Sequence, residues 1–66
     1  MKEKIVILGA GESGTGAAIL AKAKGYDVFV SDGGKIKEKF KNTLIEKNIP
    51  FEEGGHHEEN ILNAKE

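Results

Sequence analysis

The chain has 66 residues, with 10 lysines and no arginine against 11 acidic residues, for a formal net charge of −1. That balance excludes a nucleic-acid surface built on bulk positive charge, and the length allows one domain at most. No cysteine is present, so no disulfide staples the fold, in keeping with a cytoplasmic protein. Met1-Lys2-Glu3-Lys4 leads straight into an apolar run too short to cross a bilayer, so neither a signal peptide nor a membrane span is expected. A soluble chain with a small-molecule ligand is the expectation.

Ile5-Val6-Ile7-Leu8 is a β-branched apolar run that predicts a buried parallel strand, with Lys4 at its margin. Gly9-Ala10-Gly11-Glu12-Ser13-Gly14 follows, and then an Ala-rich stretch that predicts a helix from about Ser13 to Lys24. Gly25 is placed to close that helix, with Tyr26 folding back on Leu20 or Ala21. Gly14, Ala18 and Ala21 fall on one narrow face of small residues, which lets the helix axis come close to a sheet. Asp27 leads into a second strand, Val28-Phe29-Val30, ending at Ser31-Asp32-Gly33-Gly34. A right-handed crossover places it parallel to the first.

Ile36, Phe40 and Leu44, joined by Ile45, predict a second amphipathic helix from about Ile36 to Lys47, ending at Asn48. Pro50 fits a connection or the start of an edge strand, so Phe51-Glu52-Glu53 is a short third strand and Gly54-Gly55 a turn. His57 to Ala64 reads as a short third helix carrying Ile61 and Leu62. The pattern is β-α-β-α-β-α in the α/β class, with three parallel strands in the order 3-2-1, half of a Rossmann-like doubly wound domain. In the complete fold a fourth strand pairs with the first. The chain is therefore expected to be a piece of a larger protein, or to self-associate through the exposed edge of Ile5 to Leu8.

The glycine loop carries the chemistry. In the Gly-x-Gly-x-x-Gly pattern Gly9 allows a tight exit from the strand, Gly11 leaves room for a phosphate, and Gly14 allows close helix packing. The helix N-terminus beyond it then offers unpaired amides and the positive end of a dipole to an anion, with Glu12, Ser13 and Gly14 supplying the amides. Glu12 is at odds with a pyrophosphate unless its carboxylate turns away, whereas the Ser13 hydroxyl can cap the helix and donate to a phosphate oxygen. Asp32 ends the second strand, where a carboxylate accepts hydrogen bonds from a ribose diol or a nucleobase, or caps the loop that follows.

Lys35, Lys37, Lys39 and Lys41 alternate, and on a helix residues two apart do not share a face, so they read as a solvated surface with Lys35 alone near the loop. His56 and His57 would diverge by about 100° on a helix and have no third partner at a useful spacing, so no metal site is expected. No nucleophile-and-base pair is visible, and Thr15 stands where a P-loop needs lysine. The chain is equipped to hold a ligand and has no catalytic residue of its own. An NAD-binding oxidoreductase half-domain and a regulatory nucleotide-binding module both fit these features.

The run from Ile5 to Gly14, the Gly25-Tyr26-Asp27-Val28-Phe29-Val30-Ser31-Asp32 segment and the Lys-rich second helix resemble the N-terminus of the bacterial Mur ligases that add D-glutamate. The Gly-x-Gly-Glu-Ser-Gly loop and the Ser-Asp that ends the second strand are the specific parts, and Asn60-Ile61-Leu62-Asn63-Ala64 looks like the run before that family's fourth strand. The resemblance covers the whole chain, so residues 1–66 would be an incomplete N-terminal UDP-sugar-binding domain. It implies that Gly11, Glu12, Ser13 and Gly14 lie at the diphosphate and that Asp32, Gly33 and Gly34 surround the uracil. Gly33 and Gly34 lack the side chains that relatives use on the base, which leaves backbone or Lys35 for that contact. For the parent protein it implies a cytoplasmic, ATP- and Mg2+-dependent amide-forming ligase of peptidoglycan synthesis that works through an acyl phosphate. The 66 residues by themselves would be catalytically inert.

Overall fold

The computed structural model describes residues 3–55, which form β1 (Lys4–Leu8), α1 (Glu12–Ala23), β2 (Asp27–Ser31), α2 (Glu38–Glu46) and β3 (Phe51–Glu52). The third helix expected over His57 to Ala64, and both histidines, lie outside the described residues. The strands make one parallel sheet in the order β1-β2-β3, which is the expected 3-2-1 arrangement read from the other edge. Register runs from Lys4 opposite Asp27 to Leu8 opposite Ser31, and from Val30 opposite Phe51 to Ser31 opposite Glu52.

Strand alternation sorts the side chains. Ile5 and Ile7 share a face with Val28 and Val30, and the helices cover that face to make a core of Ala10, Ala18, Val28, Val30, Ile36, Leu44 and Ile49. The other face carries Val6, Leu8 and Phe29, with Leu8 66% exposed. Among the described residues no helix covers that second face, which is what half of a doubly wound domain leaves.

Helix α1 packs on β1 and β2 through the small face seen in the sequence: Ala18 is fully buried and Ala21 rests on the core. Both helices end alike. The N–H groups of Gly25 and Tyr26 return to the carbonyls of Lys22 and Ala21, and those of Asn48 and Ile49 return to Ile45 and Leu44. Gly25 meets the left-handed backbone this closure demands at φ 94°, while Asn48 adopts it at φ 59° as the sole non-glycine with positive φ among the described residues.

The second helix departs from expectation at its start and on one face. It begins at Glu38 with Lys37 as an extended N-cap at φ −62°, ψ 145°, so Ile36 precedes the helix and is buried from outside it. Ile45, expected on the apolar face, is 58% exposed, and Ile49 beyond the helix takes the buried place. The Schellman-type reversal at Asn48 turns the chain inward one residue later than the four-residue repeat would.

Candidate functional site

β1 and β2 end side by side, and the loops that leave them face each other across the carboxyl edge of the sheet. The Gly9 N–H donates to the Ser31 carbonyl at 2.7 Å, carrying the ladder one residue beyond β1. Gly9 then turns the chain at φ 100°, a conformation closed to most side chains. Ala10 is buried, and its carbonyl accepts the hydroxyl of the buried Thr15 at 3.3 Å. Thr15, where a P-loop would have lysine, is thus a strut between the helix and the loop.

The three glycines of the motif differ in what demands them. A Cβ on Gly14 would lie inside the contact distance of the Gly9 carbonyl oxygen, 2.9 Å from its carbon and 3.5 Å from Cγ2 of Ile7. Gly14 is therefore a packing residue. At Gly11 a Cβ would meet nothing within 4 Å, and φ is −79°. Neither backbone angle nor packing within the chain requires glycine there.

Gly11 is the N-cap of α1 and no side chain caps the helix, so the hydroxyl of exposed Ser13 does not take the capping role expected of it. The first-turn amides are left to solvent or a ligand. Glu12 is the exposed first residue of the helix, where a carboxylate interacts favourably with the dipole.

Asp32 ties the two loops together. Its Oδ2 accepts the Ala10 N–H at 2.8 Å and its Oδ1 accepts the Gly34 N–H at 2.9 Å. The carboxylate holds the glycine loop against the segment after β2, which is the loop-capping role. Behind it, the buried Ser31 donates its hydroxyl to Oε2 of Glu52 at 2.7 Å, and the Asp32 N–H donates to the Glu52 carbonyl at 3.0 Å.

These loops enclose an open cleft of about 320 Å³, lined by Ala10, Gly11, Glu12 and Asp32 on one side and by Lys35, Ile36, Lys37, Lys39 and Phe40 on the other. Of the expected site residues the cleft gathers Gly11, Glu12 and Asp32. Ser13 and Gly14 continue the first turn of α1 outside its lining, and Gly34 lines a neighbouring recess with Lys35, Glu53 and Gly54.

The lysines are the correction. A helix beginning at Ile36 would scatter them, but the helix starts at Glu38 with Lys37 extended ahead of it, and Lys37 and Lys39 join Lys35 in the cleft wall. Only Lys41 is drawn away, into an ion pair with Glu53 at 2.8 Å. That pairing raises the Lys41 ammonium above its ordinary range, and the same hydrogen bond, followed by one from the Ile36 N–H, holds the Glu53 carboxyl low. Among the described residues no group of three or more metal-ligating side chains occurs, and no helix is long and apolar enough to cross a membrane.

UDP-N-acetylmuramoylalanine--D-glutamate ligase of Porphyromonas gingivalis is 62% identical over 66 residues, all of this chain and 15% of the relative. The Bacteroides thetaiotaomicron ligase of the same name is 61% identical over 64 residues, 97% of this chain and 14% of the relative, and that of Pelodictyon phaeoclathratiforme is 44% identical over 54 residues, 82% and 12%. The chain spans about a seventh of the length of these relatives, and no solved structure matches it. The model of the MurD N-terminal domain matches residues 4–64, from the first strand through the glycine loop to the end of the cleft wall and beyond, and the chain belongs to that family.

Proposed function

We propose that residues 1–66 are the N-terminal part of a D-glutamate-adding ligase of peptidoglycan synthesis and bind the UDP moiety of its substrate, UDP-N-acetylmuramoyl-L-alanine. The observation that carries this reading is Gly11. The fold needs no glycine there, yet the residue stands at an uncapped helix N-terminus in the floor of the cleft, where a side chain would occupy the approach of a phosphate. The diphosphate lies against Gly11 and the first-turn amides of Glu12, Ser13 and Gly14, and the uracil lies by Asp32, Gly33 and Gly34. Lys35 and Lys37 balance its charge from the facing wall.

The chain positions a substrate and transforms nothing. ATP, Mg2+ and the amide-forming chemistry through an acyl phosphate belong to the remainder of a longer cytoplasmic protein, a reading supported by relatives named as ligases of which this chain covers 14–15%. By itself the 66-residue piece binds UDP weakly or not at all, because the rest of the cleft is elsewhere.

The test is titration of the full-length protein with the UDP-sugar and, separately, with NAD. Saturable binding of the UDP-sugar is expected, weakened about tenfold by Gly11→Ala without loss of thermal stability. Saturable binding of NAD alone would remove the ligase reading in favour of an oxidoreductase half-domain.

A further inference from the structure

Ahead of α2 the cleft wall has no regular structure of its own. Between the end of β2 and the start of α2 the chain runs through Asp32-Gly33-Gly34-Lys35-Ile36-Lys37, and a pair of glycines gives such a segment the greatest backbone freedom available. It is held from outside, by the residues that follow β3. Gly54 donates its N–H to the Gly34 carbonyl at 2.8 Å, and Gly55 donates to the Asp32 carbonyl at 3.3 Å. Glu53 contributes the side chain. Its Oε1 accepts the Ile36 N–H at 2.9 Å, and its Oε2 accepts Nζ of Lys41, one turn into α2, at 2.8 Å.

We propose that Glu53, outside the cleft lining, is a positioning residue for the UDP-sugar: by bridging the Ile36 amide and Lys41 it fixes the segment that carries Lys35 and Lys37 to the start of α2, and so sets the width of the cleft opposite the glycine loop. The proposal rests on the UDP-binding reading above. Three features support it. Ile36 is 3% exposed, so its amide is fixed in a place where losing its acceptor is costly. The carboxylate is half-buried with its charge maintained by Lys41, which makes both bonds charge-assisted. The alternative use of Lys41, as a fourth cation in the cleft, is excluded while Glu53 holds it.

A side chain that only stabilises the domain would lower the folded fraction and with it the apparent kcat, leaving KM unchanged, whereas one that shapes the UDP-sugar site acts on KM for that substrate. The experiment is steady-state kinetics on the full-length ligase, varying the UDP-sugar and ATP separately, for wild type, Glu53→Gln, Lys41→Met and, as a surface control on α2, Glu46→Gln. Glutamine keeps the shape but has one carbonyl oxygen for two donors. E53Q is expected to raise KM for the UDP-sugar about tenfold while kcat and KM for ATP stay within about twofold. K41M, which keeps the bond to Ile36, is expected to give a smaller rise in the same constant, and E46Q none.

An E53Q enzyme with KM for the UDP-sugar within twofold of wild type overturns the proposal. So does a loss of apparent kcat with both KM values unchanged, which marks general destabilisation, and so does a K41M effect larger than that of E53Q. If instead the wild-type enzyme shows no saturation by the UDP-sugar, the UDP-binding reading itself fails, a result distinct from an unchanged E53Q.

Discussion

Two glycines of α1, two residues apart, are expected to respond to the same substitution with opposite signs. A Cβ at Gly16 would meet nothing within 4 Å, so Gly16→Ala gains helix propensity at no steric cost and stabilises by about 0.5–1 kcal/mol. At Gly14 the same methyl group falls against the Gly9 carbonyl, 2.9 Å from its carbon where ordinary contact begins at 3.4 Å. Gly9 cannot retreat freely, because its own N–H is bonded to the Ser31 carbonyl at 2.7 Å. The helix must therefore lift, and lifting it loosens the fully buried Ala18 beneath. Overpacking of this kind costs about 1–3 kcal/mol, and with backbone on the opposing side the upper end applies. After the propensity gain, Gly14→Ala is expected to lose about 2 kcal/mol, so the two variants differ by about 3 kcal/mol. With a urea slope of about 1 kcal/mol/M for so small a domain, their midpoints stand about 3 M apart by far-UV circular dichroism. Because 2 kcal/mol is a large part of the stability of such a domain, G14A is best measured in the G16A background. Equal midpoints for the two variants would refute the packing role assigned to Gly14.

Asp32→Asn keeps one acceptor oxygen for two amides and is expected to leave the buried Ala10 N–H unmatched, a cost of about 1–3 kcal/mol that hydrogen exchange would read as lost protection at Ala10. Asn48→Gly relieves a left-handed non-glycine residue while keeping the backbone carbonyl that Lys22 contacts, and should raise the urea midpoint by up to about 1 M. The Lys41–Glu53 pair contributes stability above the unfolded carboxyl pKa, near 4.3, that is lost as pH falls through the depressed folded value. It contributes likewise below the unfolded lysine pKa, near 10.4, and that part is lost as pH rises through the elevated one. Thermal melts of K41M should therefore run below wild type between those limbs, lacking the alkaline limb and keeping only the part of the acid limb that the Ile36 amide supports. The outer edge of β1, unpaired among the described residues, together with the uncovered face bearing Leu8, should make the isolated chain associate with increasing concentration; monodisperse sedimentation of a folded chain at high concentration would contradict this.

What could be read from the residues was whatever depended on short-range periodicity. The β-branched run at Ile5 to Leu8, the small face through Gly14 and Ala18, and the closure at Gly25 are local patterns with one physical solution, and all three form, although the first strand is only partly buried, with Leu8 66% exposed, because it lies at the edge of the described sheet. The cleft wall was not legible for a related reason. Ile36, Phe40 and Leu44 satisfy a helical repeat, so the repeat carried the helix back over Ile36, when the amide of Ile36 instead belongs to a carboxylate seventeen positions later. That bond is long-range, and no periodicity reports it. The error over the lysines follows from it: with the helix starting at Glu38 and Lys37 extended ahead of it, Lys35, Lys37 and Lys39 line one cleft instead of diverging. Glu53 looked like the tail of a weak edge strand, yet it is the residue that decides whether Lys35 and Lys37 face the glycine loop. On the UDP-binding reading proposed above, the phosphate side of the cleft is thus encoded locally, in the glycine loop. On the same reading the side that tells one ligand from another is encoded in contacts between the second loop and the third, and there specificity can change without disturbing the motif that announces the fold.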